Sequence, residues 1–195
     1  FGLALMLLIV ISTQAQSLLY KVTGEQLANP VYIFGTIHAL PQSDFFMDEV
    51  VMKKFEKADK IVFEIDMASP TMMAEVQGAM MMQGKSIDQL ISEEEYKRLR
   101  QFFADSLQLP LDFLKQVKPL LMSSFMLPKL IGQQPASYEG YFLQKAMELG
   151  KPIFGIETVA EQIGYIDKIP LDQQVKMLME SVDDFTKSRA EYSNL

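Results

Sequence analysis

The sequence predicts an α/β domain with a small mixed β-sheet and a large helical insertion. Two β-prone segments, at residues 18–22 and 31–34, are typical of a hairpin at the start of a domain. A strand–loop–helix–strand order continues from the second of them and indicates a β-α-β unit. From about residue 69 to residue 150 the sequence carries a series of helix signals, so this segment is the expected insertion.

The composition excludes several kinds of site and partner. Apolar residues make up 49% of the 195 residues and charged residues 22%, which is enough to bury the core of one domain. The chain has 18 basic and 25 acidic residues and a net charge of −7, so nucleic acid is not an expected partner. It has no cysteine, and His38 is its one histidine. Disulfides, thiolate metal sites and a zinc site of several histidines are therefore excluded within this chain.

The first residues have the pattern of an export signal. Residues 1–11 form an uncharged apolar run that is shorter than the roughly 20 residues of a membrane helix. A small residue, Ala15, follows at the position of a cleavage site. We therefore predict a partial signal peptide over residues 1–15 and a secreted or periplasmic domain over residues 16–195, with no transmembrane anchor in the mature chain. The alternative is a buried N-terminal strand or helix.

The hairpin and the β-α-β unit follow from turn and cap residues. Turn-forming residues, including Gly24 and Pro30, separate the two strands of the hairpin. A helix then begins at Asp44 or Asp48 and runs to about residue 58. The apolar run at residues 61–65 is the next strand, and the order predicts that it lies parallel to residues 31–34.

Cap signals also divide the insertion and the segment after it. Ser92 and Glu95 form a capping box, and Ser137 caps another helix. Residues 152–157 are predicted to form a further core strand. Beyond this strand, apolar residues recur at intervals of four and three from Leu171 to Phe185, which predicts one long amphipathic helix.

Methionines cluster at residues 72–73 and 80–82 of the insertion. Methionine adjusts to irregular surfaces. Two interpretations stay open for this stretch: a helix packed on the domain, and an adaptable lid over a hydrophobic substrate.

Three polar side chains stand at the loop-facing ends of predicted strands. His38 follows residues 31–34, Glu64 lies near the end of residues 61–65, and Glu157 ends the last strand. Ligands of α/β sheets gather outside the carboxyl ends of strands, so the three side chains are predicted to converge on one crevice. His38 would act there as general base or metal ligand, and a carboxylate would orient its ring or bind the metal itself. The alternative is a buried structural histidine with two solvated carboxylates.

A set of ordered motifs resembles the TraB/GumN family. The matching segments are Leu19-Tyr20-Lys21-Val22, Tyr32-Ile33-Phe34-Gly35-Thr36-Ile37-His38, Val62-Phe63-Glu64-Ile65-Asp66, Lys118-Pro119, Tyr138-Glu139-Gly140-Tyr141-Phe142, Gly150 to Thr158, and Glu161-Gln162. The family belongs to a wider superfamily with the erythromycin esterases, the ChaN-like proteins and the Tiki proteases. The order and spacing of the set carry the resemblance, since Gly-x-x-His alone is uninformative.

The resemblance implies which residues form the site. The family has a Gly-x-x-His motif at each end of the domain, a glutamate after the second core strand and a later arginine. Gly35 to His38 matches the first motif, Glu64 matches the glutamate, and Glu157 matches a Gly-x-Glu-Thr segment of the family. The second motif and the arginine have no match, so the chain is similar to the N-terminal two-thirds of a family member. We therefore expect the chain as given to be inactive.

The resemblance also implies a function. It points to a protease-like hydrolase that acts on a peptide or protein substrate and uses a divalent metal such as manganese or cobalt. The implied catalytic residues are His38, Glu64 and Glu157, and the implied metal ligands are His38 and Glu64. The alternative function is a non-catalytic envelope protein that binds a peptide, a pheromone or a haem-like ligand. A second Gly-x-x-His beyond Leu195 would favour the enzyme.

Overall fold

The computed structural model describes residues 18–132 and 135–192. The predicted signal peptide at residues 1–15 lies outside this part of the chain. The chain divides into two compact units, of which the first ends at Thr36 and the second begins at Ile37.

The described part of the first unit is the predicted hairpin. Strands β1 (Leu19–Val22) and β2 (Val31–Phe34) pair in antiparallel fashion, with Leu19 opposite Phe34. Beyond the last pair, the backbone N–H of Gly35 donates to the carbonyl of Leu18 at 2.8 Å. The hairpin is thus confirmed, and Gly35 marks the position at which the chain leaves it.

The second unit is mainly helical and contains two further strands. Its elements are α1 (Glu49–Lys57), β3 (Ile61–Ile65), α2 (Met72–Met80), α3 (Glu93–Phe102), α4 (Pro119–Met122), α5 (Leu127–Ile131), α6 (Tyr138–Glu148), β4 (Ile153–Glu157), α7 (Val159–Asp167), α8 (Leu171–Asp183) and α9 (Phe185–Tyr192). Five helices, α2 to α6, lie between the two strands in sequence, so the described residues confirm an α/β fold with a helical insertion. The predicted long helix from Leu171 ends earlier than expected, because α8 stops at Asp183 and α9 begins at Phe185.

The parallel partner of β3 in the described part of the chain is β4, with Ile61 opposite Ile153 and Ile65 opposite Glu157. The predicted pairing of residues 61–65 with residues 31–34 would join the two units and stays a prediction. Here the crossover that returns the chain parallel to β3 is the whole helical insertion, and sequence order alone does not reveal it.

Gly155 is required where β4 passes closest to β3. A methyl group at this position would lie 2.7 Å from the carbonyl carbon of Ile65 and would collide with the backbone nitrogen of Asp66. Glycine is the one residue that leaves room for this approach. The close contact between the backbones of β3 and β4 therefore requires glycine at position 155.

Helix α1 is capped by Asp48 and not by Asp44, because the carboxylate of Asp48 accepts a hydrogen bond of 2.6 Å from the N–H of Val50. The buried ring of Phe55 stacks on Phe142 of α6, with 5.1 Å between ring centroids. At the other end of α1, the ammonium of Lys151 donates to the last carbonyls of the helix, at 2.7 and 2.9 Å. These contacts join α1 to α6 and to the start of β4.

The main hydrophobic core lies within the helical part of the second unit. Its fully buried members come from the insertion and from α8, and they include Ile87, Leu99, Phe103, Leu111, Met122 and Leu178. By contrast, Phe154 and Ile156 of β4 remain half or more exposed. The stability of this unit therefore rests on helix packing.

Candidate functional site

The loop that carries His38 is held against the start of α6 by backbone hydrogen bonds. Leu40 and Ala136 exchange two of them: the N–H of Leu40 donates to Ala136 at 3.1 Å, and the N–H of Ala136 donates to Leu40 at 2.9 Å. Further along the loop, the hydroxyl of Tyr138 donates to the carbonyl of Phe46 at 3.0 Å. The ring of Phe45 lies 4.9 Å from that of Tyr138 between centroids. The loop is therefore fixed at one point to the residue before the cap of α6 and at another to the first residue of the helix.

This docking brings His38 to Glu139 in the first turn of α6. The Nδ1 atom of His38 lies 3.0 Å from Oε1 of Glu139. The other carboxylate oxygen, Oε2, accepts a hydrogen bond of 2.9 Å from the hydroxyl of Ser137, which is the N-cap of the helix. A carboxylate is also favoured at a helix N-terminus, where the helix dipole is positive. Both oxygens of Glu139 are thus engaged, and we call the pair the His38–Glu139 dyad.

The dyad sets the orientation of the imidazole ring. A carboxylate only accepts, so in a neutral ring the proton lies on Nδ1 and the lone pair lies on Nε2. The side chain of Glu139 is 15% exposed, whereas that of His38 is 76% exposed. In the described part of the chain Nε2 has no hydrogen-bond partner. In this arrangement Nδ1 is held by a shielded carboxylate, and Nε2 of the exposed ring can accept a proton from water.

Sequence reasoning missed Glu139 as the partner of His38. It placed Ser137 correctly as a helix cap, and it placed Glu139 within a family motif without giving it a role. A carboxylate two residues after a helix cap lies in the first turn, close to the residues that pack against the start of the helix. That signal becomes useful only once the contact between Leu40 and Ala136 is known, because the dyad joins residues 101 positions apart.

Glu64 has a different partner and position. It lies on an exposed face of β3, and the amide nitrogen of Gln162 in α7 donates to its Oε2 at 3.0 Å. The register pairs Ile65, not Glu64, with Glu157. Because successive side chains of a strand point to opposite faces, Glu64 and Glu157 lie on opposite faces of the β3–β4 pair. This register contradicts the predicted convergence of the two glutamates on one crevice.

The alternative of a buried structural histidine is also wrong, since the His38 ring is largely exposed. The interpretation of Glu64 as a solvated strand-end carboxylate agrees with its exposure. The roles predicted for Glu64 and Glu157 in catalysis stay predictions.

The family model of the TraB/PrgY/gumN family matches residues 18–195. The chain belongs to this family. No curated protein and no solved structure matches the chain. The match includes both residues of the dyad, as well as Glu64, Gln162 and Glu157.

The described residues of this TraB/PrgY/gumN protein do not complete a metal site. Within residues 18–132 and 135–192, no group of three or more histidine and acidic side chains is placed to hold a metal ion. The dyad supplies two donors, while protein metal sites of the catalytic kind generally use three. The predicted ligand pair of His38 and Glu64 therefore does not fit a metal ion by itself.

The threonine of the family's Gly-x-Glu-Thr segment is the N-cap of α7 in this structure. Thr158 directly follows Glu157 and caps α7, accepting from the N–H of Glu161 at 3.2 Å. In return, the backbone N–H and the hydroxyl of Thr158 donate to the carboxylate of Glu161 at 2.8 and 2.9 Å. The backbone hydrogen bond, followed by the hydroxyl, lowers the pKa of Glu161. This box fixes the helix from which Gln162 reaches Glu64.

Proposed function

We propose that this member of the TraB/PrgY/gumN family is a secreted or periplasmic hydrolase, with a peptide or protein as substrate and His38 as its general base. The observation that carries the proposal is the 3.0 Å contact between Nδ1 of His38 and the shielded carboxylate of Glu139. The protease-like substrate class comes from the family resemblance.

The chemistry follows from the two nitrogens of the ring. Nε2 takes a proton from a water molecule, and the resulting hydroxide attacks the carbonyl carbon of the scissile bond. The ring then carries a positive charge, which the Glu139 carboxylate stabilises through Nδ1. When the amine leaves, Nε2 returns the proton to it. Glu139 acts through His38 and is therefore a positioning residue.

No step of this proposal passes through a metal ion, because the described donors do not complete a site for one. The family resemblance nevertheless implies manganese or cobalt. The assay therefore includes each metal and a chelator as separate conditions, so that a metal requirement is measured independently of the dyad.

Removing the imidazole is expected to lower kcat/KM for peptide hydrolysis by roughly 10²–10⁴-fold, the usual contribution of a general base. The experiment compares His38→Ala with the unchanged protein on a peptide library read by mass spectrometry. The intact protein and the 195-residue chain are assayed in parallel. Glu139→Gln is expected to lower kcat with little change in KM, because its amide can hold the wrong tautomer of His38 without touching the substrate.

Glu148→Gln is the matched control for Glu139→Gln. It makes the same change of charge on the same helix, at an exposed glutamate that pairs with Lys145. This variant should keep full activity, since exposed ion pairs contribute little. Hydrolysis that survives both His38→Ala and Glu139→Gln would overturn the proposal.

Export is the second part of the proposal. It rests on the apolar run at residues 1–11 and on Ala15. Among the described residues, no helix is long and apolar enough to cross a membrane. Mass spectrometry of the native protein should find an N-terminus at Gln16 or within a few residues of it. A mature protein that keeps residues 1–11 in the cytoplasm would contradict export.

A non-catalytic binding protein is the competing function, and one observation favours it. The outer face of the β3–β4 pair exposes Val62, Phe154 and Ile156 beside Glu64, with 47%, 50% and 76% of each residue accessible. Exposed apolar side chains grouped on one face are typical of a binding surface. Saturable peptide or haem binding without turnover, unchanged by His38→Ala, would favour this function over the hydrolase.

A further inference from the structure

A cavity of about 500 Å³ is lined by residues of α2, α7 and the start of α8. This volume is in the usual range of small-molecule sites. Part of its lining is apolar and comes from the methionine-rich stretch and the two later helices: Met81, Met82, Ile163 and Leu171. The cavity lies within the second unit and shares no residue with the His38–Glu139 dyad.

A buried lysine stands in the wall of this cavity. Lys118 is 9% exposed, and its ammonium lies 2.5 Å from the carboxylate of Asp167 in α7. Its backbone is held in place by a hydrogen bond from its N–H to the carbonyl of Met80 at 2.9 Å. An ammonium has three N–H groups. In the described part of the chain, Asp167 is the one side-chain acceptor in contact with this ammonium, so its other N–H groups are available to water or to a ligand in the cavity.

A second polar group of the same wall lacks a partner. Gln174 is 1% exposed, and its amide nitrogen donates to the carbonyls of Ile166 and Ile169 at 3.1 and 2.9 Å. Its Oε1 atom accepts no hydrogen bond from the described residues. This oxygen is an acceptor with almost no accessible surface, so a carboxylate in the cavity cannot pair with it. Gln174 therefore holds the turn between α7 and α8 and does not select the ligand.

The charge of the lining is opposite to that of the chain. The charged residues that line the cavity are Lys85, Lys118 and Asp167, which sum to +1, while the whole chain carries −7. Lys85 is exposed, and the Asp167 side chain is 55% exposed, whereas the Lys118 side chain is 11% exposed. Asp167 balances the charge of Lys118, so the net positive charge of the lining comes from Lys85 and favours an acidic ligand. The methionine and aliphatic side chains favour an apolar body.

We propose that this cavity binds a small carboxylic acid with an apolar chain. The carboxylate accepts hydrogen bonds from the remaining N–H groups of Lys118, and the chain lies against Met81, Met82, Ile163 and Leu171. The site is separate from the proposed hydrolase site, so its ligand need not be a substrate.

Calorimetric titration of the intact protein with octanoate, below its micelle concentration, tests the proposal. We expect saturable one-to-one binding, and weaker binding of 1-octanol, which has the same chain without the charge. Lys118→Gln is expected to weaken octanoate binding about tenfold or more, since hydrogen bonds to a charged group are the strong ones. Lys176→Gln is the matched control, because it removes the same charge from an exposed position on α8 and should change nothing.

A second variant tests the cavity without touching its charges. Gly164 lines the cavity from α7, and a Cβ atom at this position would meet no atom within 4 Å. Gly164→Leu should fill the space, keep the helix and abolish octanoate binding, with an unchanged circular dichroism spectrum. Failure of octanoate to bind, or binding that survives both Lys118→Gln and Gly164→Leu, would overturn the proposal.

Discussion

Replacing Phe103 with alanine is expected to lower the free energy of unfolding by about 3–5 kcal/mol. The side chain is fully buried in the core. Its ring packs edge-on against Phe102, with 5.9 Å between centroids, and Phe102 in turn packs edge-on against Phe185 of α9 at 5.0 Å. Removing the Phe103 ring leaves a cavity where α3 meets its neighbours. A loss of this size is a large share of the roughly 5–15 kcal/mol that stabilises a typical domain.

Urea denaturation of Phe103→Ala, followed by circular dichroism, measures this loss. Phe113→Ala is the matched control, because Phe113 is 76% exposed and its removal should change the free energy of unfolding by less than about 0.5 kcal/mol. Equal effects of the two substitutions would show that Phe103 is not a core residue.

Replacing Gly155 with alanine is expected to destabilise the protein by about 3 kcal/mol, at the upper end of the cost of overpacking. The new methyl group would meet the backbone of Ile65 and Asp66, which cannot rotate away as the end of a side chain can. The β3–β4 pair would have to separate or shift its register. Glu64 and Glu157 would then lose the positions that the register gives them.

Gly164→Ala is the control, since it places the same methyl group in open space on α7. Alanine is a better helix former than glycine, so this variant should be more stable by roughly 0.5–1 kcal/mol. Opposite signs for the two glycine substitutions are therefore the expected result of thermal denaturation. A Gly155→Ala variant as stable as the unchanged protein would contradict the close approach of the strands.

The sequence predicted the parts of the fold that depend on neighbouring residues. Ser92 and Ser137 cap helices as expected, because a cap needs only a side-chain oxygen and an N–H two or three residues later. Gly150 lies just beyond α6 with φ of +61°, a conformation that favours glycine at a helix end. Such local rules do not depend on the rest of the chain.

What the sequence missed depends on contacts between distant segments. The partner of β3 and the partner of His38 both lie beyond the helical insertion or within its last helix. Local patterns identify a strand or a reactive side chain. They do not identify which distant segment packs against it. A strand-end carboxylate was the expected partner of His38, and the first turn of α6 supplies its carboxylate partner instead.

The two hydrogen bonds between Leu40 and Ala136 have a kinetic consequence. They close a loop of nearly one hundred residues, and the entropy cost of closing so long a loop is met only after the intervening helices have packed. We therefore expect the dyad, which depends on this closure, to assemble late in folding. We also expect it to be lost early when the insertion opens, even where the individual helices persist. The imidazole of His38 is thus oriented only in molecules whose insertion has folded, which makes its environment a natural reporter of the native state.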